Sequence, residues 1–143
     1  MKDEYLKEID LIQNCINRMS QNSFLIKGWA LTVFAAEISF MKGAILDNLV
    51  VTTLVVIVPF VCFWLLDAYY LQLERQYRQL YKWAIEKRKM GDEEFLFDLN
   101  PKRFSHKVGC IFSVAHSKTL LLFYGLPTIT TVGLFVYSKC FFL

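Results

Sequence analysis

The chain has 143 residues, 55% of them hydrophobic and 20% charged, with a formal net charge of +3. Nineteen residues from Asn48 to Leu66 and twenty from Thr119 to Ser138 carry no charge, and each run is long enough to cross the ~30 Å hydrocarbon core of a bilayer as a helix. Two such runs in so short a chain exclude an ordinary soluble fold, and the pattern reads as an all-α integral membrane protein.

In residues 1–22, Tyr5, Ile9, Ile12, Ile16 and Met19 recur at spacings of four, three, four and three, a heptad seam that predicts a cytoplasmic amphipathic helix. The first span follows over 23–41 and is interrupted by Lys27 and Glu37. Lys27 lies near one end, where its stem lets the ammonium reach the interface, and Trp29 sits where an interfacial aromatic belongs. The stretch ahead of it is acidic as well as basic and no small-residue cleavage site follows, so it does not read as a cleavable signal peptide. Gly28, Thr32, Ala35, Ala36, Ser39 and Gly43 form a small-residue face that would let another helix approach closely.

An external loop over 42–47 leads to the second span, 48–71. A loop this short makes spans one and two an antiparallel hairpin in which Lys27 faces Asp67. An ion pair there would compensate two charges near lipid and set the register of the hairpin. The seam of Tyr70, Leu73, Tyr77, Leu80 and Ala84 extends the second helix to about Lys89, with Gly91 as its stop. The same register brings Ile16 level with Arg78 and Ile12 level with Lys82, so the two seams pack as a stalk.

Residues 72–118 form a basic cytoplasmic stalk and interfacial helix, with ten Lys or Arg against six acids. Asp3, Glu4, Glu8 and Asp10 fall level with Lys87, Arg88 and Lys89 and are placed to neutralise them. Arg75, Arg78 and Lys82 have no acid opposite them. They alternate with Tyr77, Tyr81 and Trp83, a combination suited to holding phosphates and stacking bases. Phe95, Leu96, Phe97 and Leu99 are expected to dock on the stalk, and Asn100 with Pro101 marks a helix start. From there Phe104, Val108, Ile111, Phe112 and Ala115 give one apolar face, expected to lie along the cytoplasmic leaflet with Lys102, Arg103, His106 and Lys107 at its beginning.

The third span covers 119–138, with a short external tail over 139–143. The Lys/Arg excess of the 72–118 segment places it and the N-terminus inside and the C-terminus outside. Pro59 and Pro127 are expected to kink their spans. Glu37 is an acid deep in a span, with Thr128, Thr130 and Thr131 at similar depth; it either hydrogen-bonds a threonine as the neutral acid or lines a wet path. Three helices leave little room for water, so a wet Glu37 implies a homo-oligomer, of which a tetramer is the simplest guess, with Glu37, Thr128 and Thr131 lining its pore.

The four cysteines, Cys15, Cys62, Cys110 and Cys140, have no CxxC spacing and do not suggest a disulfide framework. His106, Cys110 and His116 lack a fourth metal ligand and read as interfacial histidines and a buried thiol. No metal or cofactor is expected, and no Gly-rich phosphate loop, nucleophile elbow or catalytic carboxylate pair points to an enzyme.

The segments NSFLIKGWALT, FWLLDAYYLQLERQYRQLYKW, FLFDLNP and TLLLFYG, across nearly the whole chain, resemble a recurring family of small bacterial multi-pass proteins. That family is similar to the membrane effectors of antiphage defence, of the Hailong or SLATT kind, although SLATT proteins typically have two spans. The resemblance implies an inner-membrane oligomeric channel controlled by a nucleotide or oligonucleotide from a partner nucleotidyltransferase. On that basis Arg75, Arg78 and Lys82 would hold the signal, and Glu37 would line the pore. The competing expectation is a non-conducting membrane anchor whose stalk docks a soluble protein.

Overall fold

The computed structural model describes residues 2–44 and 49–141, and the side chains of 3–39 and 54–133. All regular structure among them is helical: α1 (Lys2–Ala44), α2 (Leu49–Lys89), a 3-10 helix (Pro101–Lys107), α3 (Ile111–Ala115) and α4 (Lys118–Phe141). Of the expected external loop, residues 42–44 continue α1 and 45–47 lie outside the described residues; of the expected tail, 139–141 continue α4 and 142–143 lie outside them. Pro59 and Pro127 both sit inside continuous helices.

One helix among the described residues, over Leu54–Lys89, is long and apolar enough to cross a membrane. Only 22% of its most apolar window is buried inside the protein, whereas the core helix of a soluble domain would bury most of such a window.

The α1–α2 hairpin is the frame, and it is filled by two separate apolar clusters. In the stalk, Ile12, Ile16, Leu80, Ala84 and Phe104 are buried, with Ile9, Tyr77, Trp83 and Leu99 packed against them. Beyond the stalk, Ala30, Phe60, Ala68, Ala115, Leu120 and Tyr124 join α1, α2, α3 and α4, with Phe34, Phe63 and Trp64 around them. The predicted seams therefore face each other.

Helix α2 stops as the glycine predicted. Gly91 takes φ +73°, its N–H bonds the Arg88 carbonyl at 3.2 Å, and the Asp92 N–H bonds the Lys87 carbonyl at 3.1 Å. This is a Schellman ending, which supplies partners to carbonyls that the helix leaves open. The chain then folds back over the stalk tip through two left-handed phenylalanines, Phe95 and Phe97, both at φ 61°. Each such residue costs about 1–2 kcal/mol. The offset comes from a buried pair beneath the turn. Arg88 holds Glu8 by two hydrogen bonds of 2.7 and 2.8 Å, Arg88 also donates to the Asp92 and Glu94 carbonyls, and the Phe97 N–H reaches Glu8 Oε1 at 3.0 Å. The bond to Glu8 holds the Arg88 guanidinium above its ordinary pKa. Outside this clamp, Lys87 Nζ lies 2.5 Å from Asp92 Oδ2, and that hydrogen bond keeps the Asp92 carboxyl below the usual carboxylate range. Its support for the turn is therefore present above the ordinary carboxylate pKa and is lost as pH falls through the lowered one.

The return segment departs from the single leaflet-bound helix expected. Asn100 Oδ1 caps the Lys102 N–H at 3.1 Å, but the helix it starts is 3-10 and ends at Val108. Phe104 and Val108 turn inward onto the stalk, and Phe112 is left 67% exposed. Two tethers to α2 impose the break: Gln72 Nε2 donates to the Gly109 carbonyl at 3.0 Å, and Trp64 Nε1 to the Ala115 carbonyl at 3.0 Å.

Because Glu8 and Arg88 are both buried, removing one strands the other. Glu8→Ala should cost about 3–5 kcal/mol in unfolding followed by circular dichroism in micelles, whereas Glu8→Leu with Arg88→Met should recover much of that loss.

Candidate functional site

On the stalk, α2 presents Arg75, Arg78 and Lys82, separated by three and four residues and so on one helix face. They line a groove of about 590 Å³ together with Tyr81, Gln79 and, from α1, Gln13, Asn17 and Ser20. Its far wall is the end of the return segment, Lys107, Val108 and Gly109. Four cations line the groove and no acid does. The bond from Gln72 to Gly109 sets that wall, and Gly109 suits it because an added Cβ would lie 3.0 Å from Ser113 Oγ.

The sequence places Lys107 at the start of a leaflet-bound helix, and the break at Val108 turns it toward α2 instead. Arg78 is not free of acid: Glu74, one turn earlier, holds it at 2.8 and 2.9 Å. Its side chain is still 61% exposed, so such a pair contributes little to stability and leaves donors facing the groove.

The aromatic residues divide. Tyr81 lines the groove while also packing against the stalk cluster. Tyr77 does not: it packs half-buried in the stalk seam, where burial pushes its hydroxyl pKa up. Trp83 is likewise taken, with the Arg103 guanidinium 5.3 Å from its ring and Phe104 packed at 6.0 Å. That guanidinium also lies 4.0 Å from the Phe95 ring and pairs with Asp98 at 2.6 Å. The groove thus offers guanidinium, ammonium, amide and phenol donors without a nucleophile set beside a base. It is equipped to bind an anion.

Below the groove, Asp67 is fully buried on α2. Lys27 Nζ lies 2.7 Å from its Oδ2 and 2.9 Å from its Oδ1. Ser23 donates to Oδ1 at 2.5 Å, Tyr124 donates to Oδ2 at 3.2 Å, and Lys27 also donates to Ser23 Oγ at 2.7 Å. One carboxylate therefore ties α1, α2 and α4 together. The hairpin register brings Lys27 to Asp67; Ser23 and Tyr124 were not anticipated, although Ser23 stands one helical turn from Lys27.

Glu37 is half-exposed on α1. Thr128 and Thr131 line an apolar cavity of about 70 Å³ with Phe34, Val56 and Phe60, and Glu37 is not among its walls. Thr128 donates to the Tyr124 carbonyl at 2.7 Å, and Thr130 and Thr131 donate to that of Pro127 at 2.8 Å. These threonines are satisfied within their own helix, so the chain does not join them to Glu37.

Among the described residues no group of three or more His, Cys, Asp or Glu is placed to hold a metal. His116 Nδ1 lies 2.7 Å from the Phe112 carbonyl, and Cys15, Cys62 and Cys110 are free thiols, with Cys110 exposed rather than buried.

No protein-family model matches this chain, and no curated protein or solved structure shows significant similarity to it.

The Asp67 network predicts an order of effects. Lys27→Met leaves a buried carboxylate without its cation and should cost about 3–5 kcal/mol, whereas Tyr124→Phe removes one hydrogen bond and should cost about 1 kcal/mol. Unfolding midpoints in micelles give the ranking, and the reverse ranking would make Tyr124 the principal donor.

Proposed function

We propose that this protein is a multi-pass membrane effector in which a phosphate-bearing cytoplasmic ligand, a nucleotide or short oligonucleotide, binds the stalk groove and governs an ion path formed between protomers. The observation that carries the reading is the groove itself: four cations from two separate segments converge on it with no acid in its lining. A merely solvated basic face would not require α2 and the return segment to close on the same space.

Three spans are supported by where apolar surface is left uncovered. Phe24, Leu25 and Trp29 on α1, Leu54, Val55 and Val58 on α2, and Leu122, Leu126 and Ile129 on α4 are all exposed. A soluble monomer rarely leaves so many large apolar side chains exposed on three helices, and lipid or a neighbouring protomer would cover them. The Asp67 network then lies at the cytoplasmic end of the spans, with the stalk in the cytoplasm, in keeping with the Lys/Arg excess there. Half-exposed Glu37, unconnected to Thr128 and Thr131 within one chain, suits a position facing other protomers. This is the arrangement that the resemblance to membrane effectors of bacterial defence implies.

Binding of adenine and guanine nucleotides, cyclic dinucleotides and short oligonucleotides to the full chain in nanodiscs tests the groove. Affinity should fall steeply with salt, and Arg75→Glu with Lys82→Glu should abolish it. Unchanged affinity in that variant places any ligand elsewhere. Conduction is tested separately by reversal potential in planar bilayers under a salt gradient. Wild type should prefer cations, and Glu37→Gln should reduce the preference. An absence of current with every ligand would favour a non-conducting anchor, whose docking surface would be the exposed Met90, Phe95 and Phe97 at the stalk tip.

A further inference from the structure

The stalk groove does not end at its polar walls. Asn17 and Ser20 also belong to an open face of α1 that continues past Gln21 to Phe24 and Leu25. Phe24 is 76% exposed and Leu25 56% exposed. The cationic groove thus adjoins, through two shared polar residues, a helix face that ends in two exposed apolar side chains. A soluble anion has no use for those side chains. An amphiphile fits both.

The heights agree. Ser23 and Lys27 meet Asp67 where the charge-free run of α2 ends. Arg75 lies eight residues beyond Asp67, about 12 Å along the helix, and its long side chain can reach back toward the membrane surface. Leu25 lies five residues beyond Ser20, about 7.5 Å in the opposite direction. Measured from the Asp67 network, Ser20 is three residues from Ser23 and seven from Lys27, about 5–10 Å toward the cytoplasm. That is headgroup height for a layer about 5–8 Å thick, and Phe24 and Leu25 lie at the inner edge of that layer.

We infer that the inner end of the groove holds the phosphate of an anionic membrane phospholipid, contacted by Arg75 and Lys107, while its acyl chains lie along Phe24 and Leu25. The inference rests on the anion-binding and membrane readings above and adds the occupant. The outer cations, Arg78 and Lys82, stay open to the cytoplasm, so a soluble phosphate ligand entering there meets the lipid phosphate and competes with it.

The experiment is native mass spectrometry of the full chain in a nonionic detergent, titrated with dioctanoyl phosphatidylglycerol, dioctanoyl phosphatidylcholine and glycerophosphoglycerol, the last being the same headgroup without chains. Phosphatidylglycerol should bind at least about tenfold more tightly than either, a margin of about 1.4 kcal/mol. Arg75→Gln with Lys107→Gln should remove the preference over phosphatidylcholine. Phe24→Ser, or Leu25→Thr should the first not fold, should weaken phosphatidylglycerol and leave nucleotide affinity in lipid-free detergent unchanged. Equal binding of glycerophosphoglycerol and the lipid, or of the two lipids, overturns the inference, and this comparison needs no variant. If nucleotide binding persists in that case, the functional reading stands and the lipid falls. Lipid bound with this selectivity but no nucleotide bound leaves the lipid and removes the signal, and binding of neither removes both.

Discussion

Asp67 is the point on which the molecule turns. A buried carboxylate cannot be left without partners, and the three groups that satisfy it come from α1 and α4 as well as from the hairpin partner that charge alone would select. It sits within one apolar cluster, beside Ala68 and Tyr124, with the stalk cluster farther along the same hairpin, so the network fixes the register that both clusters share. Hydrophobic contact along two long helices is tolerant of sliding; an ion pair with two further hydrogen bonds is not. The buried Glu8–Arg88 pair repeats the device at the far end of the stalk, and with both ends pinned the helices have little freedom to slip past one another.

The groove is a consequence of that register. Arg75, Arg78 and Lys82 share a face because of helical spacing, but they become a site only when Lys107 arrives from across the stalk. Its arrival depends on the Schellman ending at Gly91, on two left-handed phenylalanines held over the Glu8–Arg88 clamp, and on the tether from Gln72 to Gly109. Strain in the return loop is thus offset by buried hydrogen bonds beneath it. The same loop consumes Trp83 and Arg103 in packing, leaving Tyr81 as the aromatic wall.

The parts legible in the sequence were those fixed by local periodicity or by a short loop. Ile12, Ile16, Leu80 and Ala84 lie where the heptad spacing puts them, Gly91 ends α2, and the hairpin register brings Lys27 to Asp67. The parts that were not legible depend on how an irregular segment crosses the stalk. Periodicity placed Phe104, Val108 and Phe112 on one lipid-facing stripe, but tethering by Gln72 and Trp64 broke the helix and turned the first two inward. Tyr77 was read as a stacking partner from its basic neighbours, although its place in the heptad already pointed into the seam. Glu74 meets Arg78 along the helix, at i,i+4, rather than across the hairpin, where the register leaves Arg78 without an acid. The signal for Tyr124 was weakest, since nothing local links a tyrosine in the third charge-free run to an acid fifty-seven residues earlier.

What occupies the stalk groove in the membrane-embedded chain decides between these readings most directly. A cryo-electron microscopy map of the full chain in nanodiscs of its native lipids, with added nucleotide, reads this without any substitution. The account predicts phosphate density between Arg75, Lys82 and Lys107, with the Asp67 network at the edge of the lipid belt. A groove filled instead by an acidic side chain of a neighbouring protomer, or lying inside the hydrocarbon layer, would contradict it.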